Sequence, residues 1–348
     1  MELDRYHRQT LLPQIGPEGQ KKLQRACVVL VGCGALGCTI AEQLTRAGVG
    51  TIRIIDRDLV ELTNLQRQVL FDERNAAEQA PKAVAAARRL NQINSQVRIE
   101  PIVADVHAGN VEQLAGLEET QSRADVILDG TDNAETRYLL NDVAVKHGIP
   151  WVYGACVGTE GRCMAVIPGR TTCLRCIYPE PPAAGELPTC DTAGVLGAAA
   201  TIIGSLQAVH AIRLLTQAPA DYPMIVADVW KSRFRSISTV DSRRPDCPCC
   251  GKREFSFLDD RSASRSTTLC GRNAVQVRPA RAAGLDLEAI ARKLQPLGQV
   301  ERTPYLVRCE LREGAPVKLT VFADGRAIVH GTNDLKHARS IYARFIGA

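Results

Sequence analysis

Residues 27–37 read Cys27-Val-Val-Leu-Val31 followed by Gly32-Cys33-Gly34-Ala35-Leu36-Gly37. The apolar run predicts a buried strand, and it leads directly into a Gly-x-Gly-x-x-Gly loop. A helical stretch, residues 39–47, and a second strand, residues 51–55, come next. This order places backbone N–H groups and a helix N-terminus where they meet a phosphate group. We therefore expect a nucleotide here, held through Gly32, Gly34 and Gly37, although the loop does not choose between NAD and ATP.

Strands and helices continue to alternate beyond this unit. The pattern predicts strands near residues 97–103, 124–129 and 150–153, with helices near 82–94 and 139–147. Such alternation favours a doubly wound, Rossmann-like, mostly parallel sheet. We expect an α/β domain over residues 1–258, a polar Ser/Arg-rich linker over 259–268, and a small α+β domain, plausibly ferredoxin-like, over 269–348.

Composition narrows the class of protein. The chain has 348 residues, of which 45% are hydrophobic and 23% charged, with a formal net charge of +5. It has no dense Lys/Arg run, so we expect no nucleic-acid partner. The longest apolar stretch, residues 193–215, is interrupted by polar side chains and predicts a buried helix rather than a membrane span. Thirteen cysteines without an apolar signal core favour a reducing, cytoplasmic location.

Charged residues follow the predicted strands at the edge where ligands bind in open parallel sheets. Asp56 and Asp58 come directly after the second strand, and Asp132 follows the strand that ends near residue 129. A carboxylate at Asp56 can hold ribose hydroxyls. Arg67 and Lys82 can neutralise phosphate oxygens, and Asp132 can hold Mg²⁺. This set favours phosphate chemistry over hydride transfer. No Gly-x-x-x-x-Gly-Lys-Ser/Thr motif is present, which excludes a P-loop NTPase.

Two C-x-x-C pairs, Cys173/Cys176 and Cys247/Cys250, supply four thiolates, which is the closed ligand set of a structural zinc site. The alternative is a group of free or redox-active thiols. Cys249, between the second pair, is interpreted as a spectator. Cys33 and Cys38, at the glycine loop, are interpreted as packing residues.

Cys190 lies in a Pro/Gly-rich connection, residues 178–190, just before a predicted helix N-terminus. That position favours the thiolate, so Cys190 is a candidate nucleophile or persulfide carrier. An unreactive loop cysteine is the competing interpretation. Cys270, at the start of the small domain, is a weaker candidate.

The motifs together resemble one family. Arg5-Tyr-His-Arg8-Gln, the glycine loop, Asn64-Leu-Gln-Arg67-Gln68, Pro81-Lys82, Thr131-Asp132-Asn133 and the paired C-x-x-C all match the ThiF/MoeB family over about residues 1–255. These are the sulfur-carrier-protein adenylyltransferases of thiamine and molybdenum-cofactor biosynthesis, bacterial relatives of ubiquitin-activating enzymes. The sequence departs from the family pattern in two places: the usual Gly-Gln-Pro-Lys reads Glu78-Gln79-Ala80-Pro81-Lys82 here, with the Gly missing, and Gly130 stands where a Cys is common.

The resemblance implies a set of roles and partners. The ATP site would comprise Asp56, Asp58, Asn64, Arg67, Gln68, Lys82, Asp132 and Asn133. Asp132 would bind Mg²⁺, the four paired cysteines would bind structural Zn²⁺, and Arg8 would reach into the partner's site in a homodimer. The acceptor would be the C-terminal carboxylate of a small ubiquitin-like carrier that ends in Gly-Gly. A sulfurtransferase or cysteine desulfurase is a candidate further partner, and Cys190 matches a loop cysteine that some members use covalently.

Two other functions stay open at this point. An NAD-dependent oxidoreductase with a structural zinc would share the glycine loop and Asp56, but it gives residues 64–68 no role. A nucleotide-binding scaffold would use the small domain to dock a partner. The sequence leaves open which carrier is used and whether it serves thiamine, molybdopterin or another product.

Overall fold

The structure is a computed structural model. The structure describes residues 4–118, 122–182, 190–217, 221–259, 266–269, 273–278, 284–311 and 317–347. The chain divides into two compact units, residues 1–261 and 262–348, and each is considered by itself.

The first unit is built on an eight-stranded sheet. Its strands, in chain order, are β1 (Cys27–Val31), β2 (Thr51–Ile55), β3 (Arg98–Ile102), β4 (Val126–Asp129), β5 (Trp151–Val157), β6 (Glu160–Val166), β7 (Met224–Asp228) and β8 (Arg233–Ile237). The order across the sheet is β3-β2-β1-β4-β5-β6-β7-β8. The pairs from β3 to β5 are parallel and those from β5 to β8 are antiparallel. The predicted Rossmann-like, mostly parallel sheet is confirmed.

Helices cover both faces of this sheet. They are α1 (His7–Thr10), α2 (Gly16–Arg25), α3 (Ala35–Ala47), α4 (Glu73–Ala77), α5 (Lys82–Ile93), α6 (Val111–Leu114), α7 (Ala134–His147), α8 (Leu174–Ile177), α9 (Cys190–Ala193), α10 (Gly197–Thr216) and α11 (Ser256–Asp259). Successive residues of β1 alternate between two hydrophobic cores, because side chains along a strand point to opposite faces. Val28 and Leu30 pack under α3, α5 and α10, whereas Val29 and Val31 pack under α7.

The ligand-binding edge is set by the strand order. The chain steps outward from β1 to β2 and β3, and then crosses back to β4 on the other side of β1. The carboxyl ends of β1 and β4 therefore adjoin at a topological switch point, the usual crevice for ligands in such sheets. The antiparallel extension from β6 to β8 was not predicted. Residues 151–166 form a hairpin whose turn, at Gly158 and Thr159, carries only a weak turn signal.

Helix α10 occupies the long apolar stretch. Among the described helices it is the one long and apolar enough to cross a membrane, and half of that window is buried inside the molecule. It packs on α3, β5 and β6, as predicted for a core helix.

The second unit is a six-stranded sheet with α12 (Leu287–Leu294) and α13 (Leu335–Phe345). Its strands are β9 (Ser266–Leu269), β10 (Ala274–Val277), β11 (Gly298–Arg302), β12 (Leu306–Leu311), β13 (Lys318–Phe322) and β14 (Ala327–His330), in the order β11-β12-β13-β14-β10-β9. Every pair is antiparallel. In a ferredoxin-like sheet one strand lies between the two strands that a helix joins. Here β10 and β11, which α12 joins, have β12, β13 and β14 between them, so the predicted ferredoxin-like arrangement is not what these strands form. Short connections join β11 to β14 in a meander, and β9 begins inside the segment predicted as linker.

Candidate active site

The glycine loop is packed against the end of β4. A Cβ atom built on Gly37 would lie 2.0 Å from the Gly32 carbonyl oxygen, and one on Gly130 would lie 2.2 Å from the same oxygen. Gly32 itself has a φ of +87°, which favours glycine. A Cβ on Gly34, by contrast, would meet no atom closer than 3.8 Å. Gly32, Gly37 and Gly130 thus let the loop pack closely against the end of β4. Gly34 leaves open space on the outer side of the loop, where the backbone can approach a pyrophosphate.

Asp56 holds this loop from the end of β2. Its Oδ2 accepts a hydrogen bond from the Cys33 N–H at 2.6 Å, and its Oδ1 accepts one from the Asp58 N–H at 2.7 Å. Burial raises the pKa of Asp56 against the opposing attraction of Lys82. The carboxylate thus fixes the glycine loop to the β2 end, at the position expected to meet a ribose.

Lys82 is a buried cation in the same crevice. Only 5% of the residue is exposed, and its Nζ lies 3.2 Å from Asp58 Oδ2. Burial alone would lower the pKa of Lys82, but Asp58, Asp56 and more weakly Asp132 outweigh it, so the pKa is raised. The backbone fixes this position, because the Lys82 N–H donates to the Asp58 carbonyl at 2.9 Å. Lys82 is therefore a permanent positive charge among three predicted site carboxylates.

The segment between β2 and α5 brings further predicted residues to the crevice. Gln68 is 3% exposed, and its Oε1 is a buried acceptor without a hydrogen-bond partner. Its Nε2 lies beside Gly34, 3.9 Å from a Cβ built there. A buried unpaired polar atom next to the open side of the glycine loop fits a bound ligand. Asn64 has a local bond, since its Oδ1 accepts from the Glu61 N–H at 3.0 Å, and Arg67 donates to the Thr63 carbonyl at 2.8 Å.

Asp132 and Asn133 lie in the turn between β4 and α7. Asp132 is exposed, and the Asn133 side chain caps α7 by accepting from the Glu135 N–H at 2.9 Å. Asp132 lies close enough to Lys82 to raise the pKa of the lysine. An exposed carboxylate at this edge is free of the burial cost and can take a hydrated Mg²⁺.

Sequence reasoning missed Arg137, which holds that turn in place. Its Nε lies 3.2 Å from Oδ2 of the fully buried Asp129, and its Nη2 donates to the Thr131 carbonyl at 2.6 Å. Burial works to lower the pKa of Arg137, but Asp129, Tyr153 and Asp132 outweigh it and raise the pKa. The sequence signal was its position one helical turn after the Thr131-Asp132-Asn133 motif, just before the helix predicted near residues 139–147.

Arg8 lies apart from these residues within one chain. It is exposed on α1, two residues after Tyr6, whose ring packs against Gly48 at the C-terminal end of α3. Because α3 has 13 residues and starts at the glycine loop, about 20 Å of helix separates the two places. The structure thus places Arg8 near the opposite edge of the sheet.

The four paired cysteines converge. Their Sγ atoms all lie within 4.8 Å of one another, with separations of 3.9 Å for Cys173–Cys176, 3.7 Å for Cys173–Cys247 and 3.4 Å for Cys176–Cys250. A tetrahedron with Zn–S bonds of about 2.3 Å has S···S edges of roughly 3.8 Å. The cluster therefore fits a tetrahedral metal. Cys249 is fully buried and is not one of these four residues; its Sγ accepts a hydrogen bond from Asn141 Nδ2 at 3.1 Å.

The two candidate nucleophiles, Cys190 and Cys270, fall partly or wholly outside the described residues. Cys190 begins α9, but its side chain lies outside the described residues, as does all of Cys270. Cys33 and Cys38 are fully buried in the core next to the glycine loop, as expected of packing residues.

Comparison with known proteins gives a consistent result. The ThiF family model matches residues 6–249. The chain is 44% identical to the sulfur carrier protein ThiS adenylyltransferase of Bacillus subtilis, over 99% of each chain. It is 40% identical to the sulfur carrier protein adenylyltransferase of Thermus thermophilus, over 72% of this chain and 91% of the relative. The crystal structure of Escherichia coli MccB with ATP shares the fold, with a TM-score of 0.58, 22% identity, and coverage of 67% of this chain and 69% of that one.

Proposed function

Because the chain belongs to the ThiF family, we propose that it transfers AMP from ATP to the C-terminal glycine carboxylate of a small ubiquitin-like sulfur carrier. The products are the carrier acyl-adenylate and pyrophosphate. The observation that carries the proposal is the convergence of Asp56, Asp58, Lys82 and Asp132 beside the open face of the glycine loop.

This arrangement suits attack by a carboxylate on a phosphate. The attacking carboxylate is already ionised, so the site needs no general base. The chain has to hold the two negatively charged groups together and stabilise charge that develops at the α-phosphate. Lys82 is positioned before ATP binds, and Arg67 lies on the same segment. Mg²⁺ on Asp132 would supply further positive charge to the phosphates.

An NAD-dependent oxidoreductase explains less of this crevice. Hydride transfer needs the glycine loop and Asp56, but it gives no role to a buried lysine between two carboxylates. The scaffold alternative also leaves the charged set without a use. Zinc at the four cysteines is part of our proposal as a structural staple, since the cluster joins the segment at α8 to the segment after β8.

The partner predictions extend the proposal. We place Arg8 in the site of a second copy in a homodimer, since its own glycine loop lies about a helix length away. A relative of the same length is named for the carrier ThiS, so a ThiS-like carrier is the first to test. The further steps would draw sulfur from a sulfurtransferase or cysteine desulfurase. None of the eleven cysteines whose side chains the structure describes forms a disulfide, which suits the reducing cytoplasm.

The test is ATP–pyrophosphate exchange by the purified full chain with and without carriers that end in Gly-Gly. We expect exchange that depends on the carrier and is lost in Asp132→Ala. A carrier truncated by its last glycine is the matched control. Absence of exchange with every carrier, together with tighter binding of NAD than of ATP, would transfer support to the oxidoreductase.

A further inference from the structure

A cleft on the first unit lies beside the cysteine cluster. It has a volume of about 450 Å³, and its walls include Lys146, His147, Arg243, Arg253 and Cys250. It is formed at the C-terminal end of α7, whereas Asp132 lies at the N-terminal end of that helix. The cleft is therefore separate from the nucleotide crevice, and the proposed adenylation does not use it.

The charge of the cleft is positive. Lys146 and His147 share the carboxylate of Glu112, at 2.9 Å and 2.6 Å. The two arginines have a different kind of partner: Arg243 donates to the Gly169 carbonyl and Arg253 to the Lys146 carbonyl. Carbonyl groups accept these hydrogen bonds but bring no countercharge. The cleft therefore favours negatively charged ligands.

Cys250 is the member of the cluster that this cleft reaches. Cys173, Cys176 and Cys247 are buried, whereas Cys250 is half-buried and lines the cleft. Every other cysteine whose side chain the structure describes is buried. Cys250 is therefore the one cluster residue that is not fully buried, and the cleft that it lines carries cationic side chains.

We propose that Cys250 is a thiol-modification site and that the cleft selects anionic disulfides as its reagent. Cys250, as the thiolate that remains once its proton has passed to solvent, attacks one sulfur of the disulfide. A new S–S bond forms, the reagent's S–S bond breaks, and the other half leaves as a thiolate, so the disulfide is the only oxidant required. When a metal is bound, the modified sulfur is lost as a thiolate ligand, and the cluster is left with three.

Two reagents of opposite charge test this directly: oxidised glutathione, which is anionic, and cystamine, which is cationic. The zinc-loaded full chain is used in a Cys190→Ser/Cys270→Ser background, which removes the two cysteines outside the described side chains. Site-specific mass spectrometry identifies the first mixed disulfide, and a chromogenic chelator follows zinc release. We expect glutathione to modify Cys250 first and zinc to leave at the same rate, with cystamine slower.

The variants Arg253→Gln and Lys252→Gln form a matched pair. Both residues are exposed and adjacent, but only Arg253 lines the cleft. We expect Arg253→Gln to slow the glutathione reaction about threefold at about 0.15 M salt, and Lys252→Gln to slow it clearly less, because the attraction between charges weakens with distance and with screening by salt. Arg243→Gln should resemble Arg253→Gln. First modification of another cluster cysteine, equal rates for the two reagents, or equal effects of the paired variants would each overturn the proposal.

If the protein binds no zinc, the order of thiol modification still decides the outcome. Added salt supplies a second measurement that needs no variant. It should slow glutathione and speed cystamine toward a common rate.

Discussion

The nucleotide crevice and the cysteine cluster lie toward opposite ends of α7, and they are built in different ways. The cluster takes its four thiols from two short motifs, so each pair is aligned by local spacing. The crevice takes one residue at a time from the ends of β1, β2 and β4 and from the loop that leads to α5. A site made from short motifs can be recognised residue by residue, whereas a convergent site depends on contacts that the sequence does not display.

The largest expected effect is loss of metal from the cluster. A ligand that binds only the folded state contributes about 4 kcal/mol when its free concentration is a thousandfold above its dissociation constant. We therefore expect Cys247→Ser to bind no metal, and its free energy of unfolding to be lower than that of the wild type by a similar amount. Cys249→Ser is the control, because Cys249 is equally buried but bonds Asn141. Metal analysis and thermal unfolding of the two variants provide the measurement. Equal metal contents would show that local spacing does not define the ligands.

The next effect is on catalysis in the crevice. Lys82→Gln removes a buried cation that adjoins Asp58, and we expect carrier-dependent exchange to fall about 10²- to 10³-fold, or roughly 3–4 kcal/mol of transition-state stabilisation. Lys21→Gln, on exposed α2, loses the same charge away from the site and should have wild-type rates. Unfolding is followed in parallel, because Asp58 and Asp56 lose a counter-ion in the variant. A fall in rate that merely parallels a fall in stability would contradict a direct role.

These two cases show what the sequence could predict. The glycine loop, Asp56 and the four cysteines follow from motifs and strand ends, and β1 to β5 follow from hydrophobic runs. Arg137 did not follow, because its partner Asp129 belongs to another element and looks like the end of a buried strand. The antiparallel strands β6 to β8 were missed for a related reason. Their pairing depends on long-range contacts rather than on any local pattern of period or turn.

Measurements across a range of pH distinguish acid unfolding of the protein from loss of metal or of activity at either site. His210, on α10, is 3% exposed, and burial followed by the charge of Arg213 lowers its pKa from 6.5 to about 4. Below pH 6.5 the His210 imidazole is protonated in the unfolded chain, whereas in the folded chain it stays neutral down to about pH 4. The free energy of unfolding therefore has its full value above pH 6.5. It falls by up to about 3 kcal/mol as the pH drops to 4, because protonation then favours the unfolded chain. Denaturant unfolding of wild type and His210→Gln across this window checks it. Parallel pH profiles for the two proteins would show that His210 is not the cause of the loss of stability. Metal content and exchange are best compared above pH 6.5, where His210 is neutral in both the folded and the unfolded chain.

The smallest expected effect on stability is at Gly34, and it is also the sharpest test of the crevice. Gly34→Ala adds a methyl group with no atom closer than 3.8 Å, so we expect the free energy of unfolding to change by less than about 1 kcal/mol. The same methyl group would occupy the space where the loop backbone meets a pyrophosphate, so the KM for ATP should rise. Gly37→Ala is the contrasting variant, because its methyl group would lie 2.0 Å from the Gly32 carbonyl oxygen and must displace backbone. Thermal unfolding with ATP titration distinguishes them: Gly37→Ala should lose the fold, and Gly34→Ala should keep the fold and lose the ligand. An unchanged KM in Gly34→Ala would mean that the nucleotide does not approach this side of the loop, and the convergent site would then have to be placed elsewhere along the carboxyl edge.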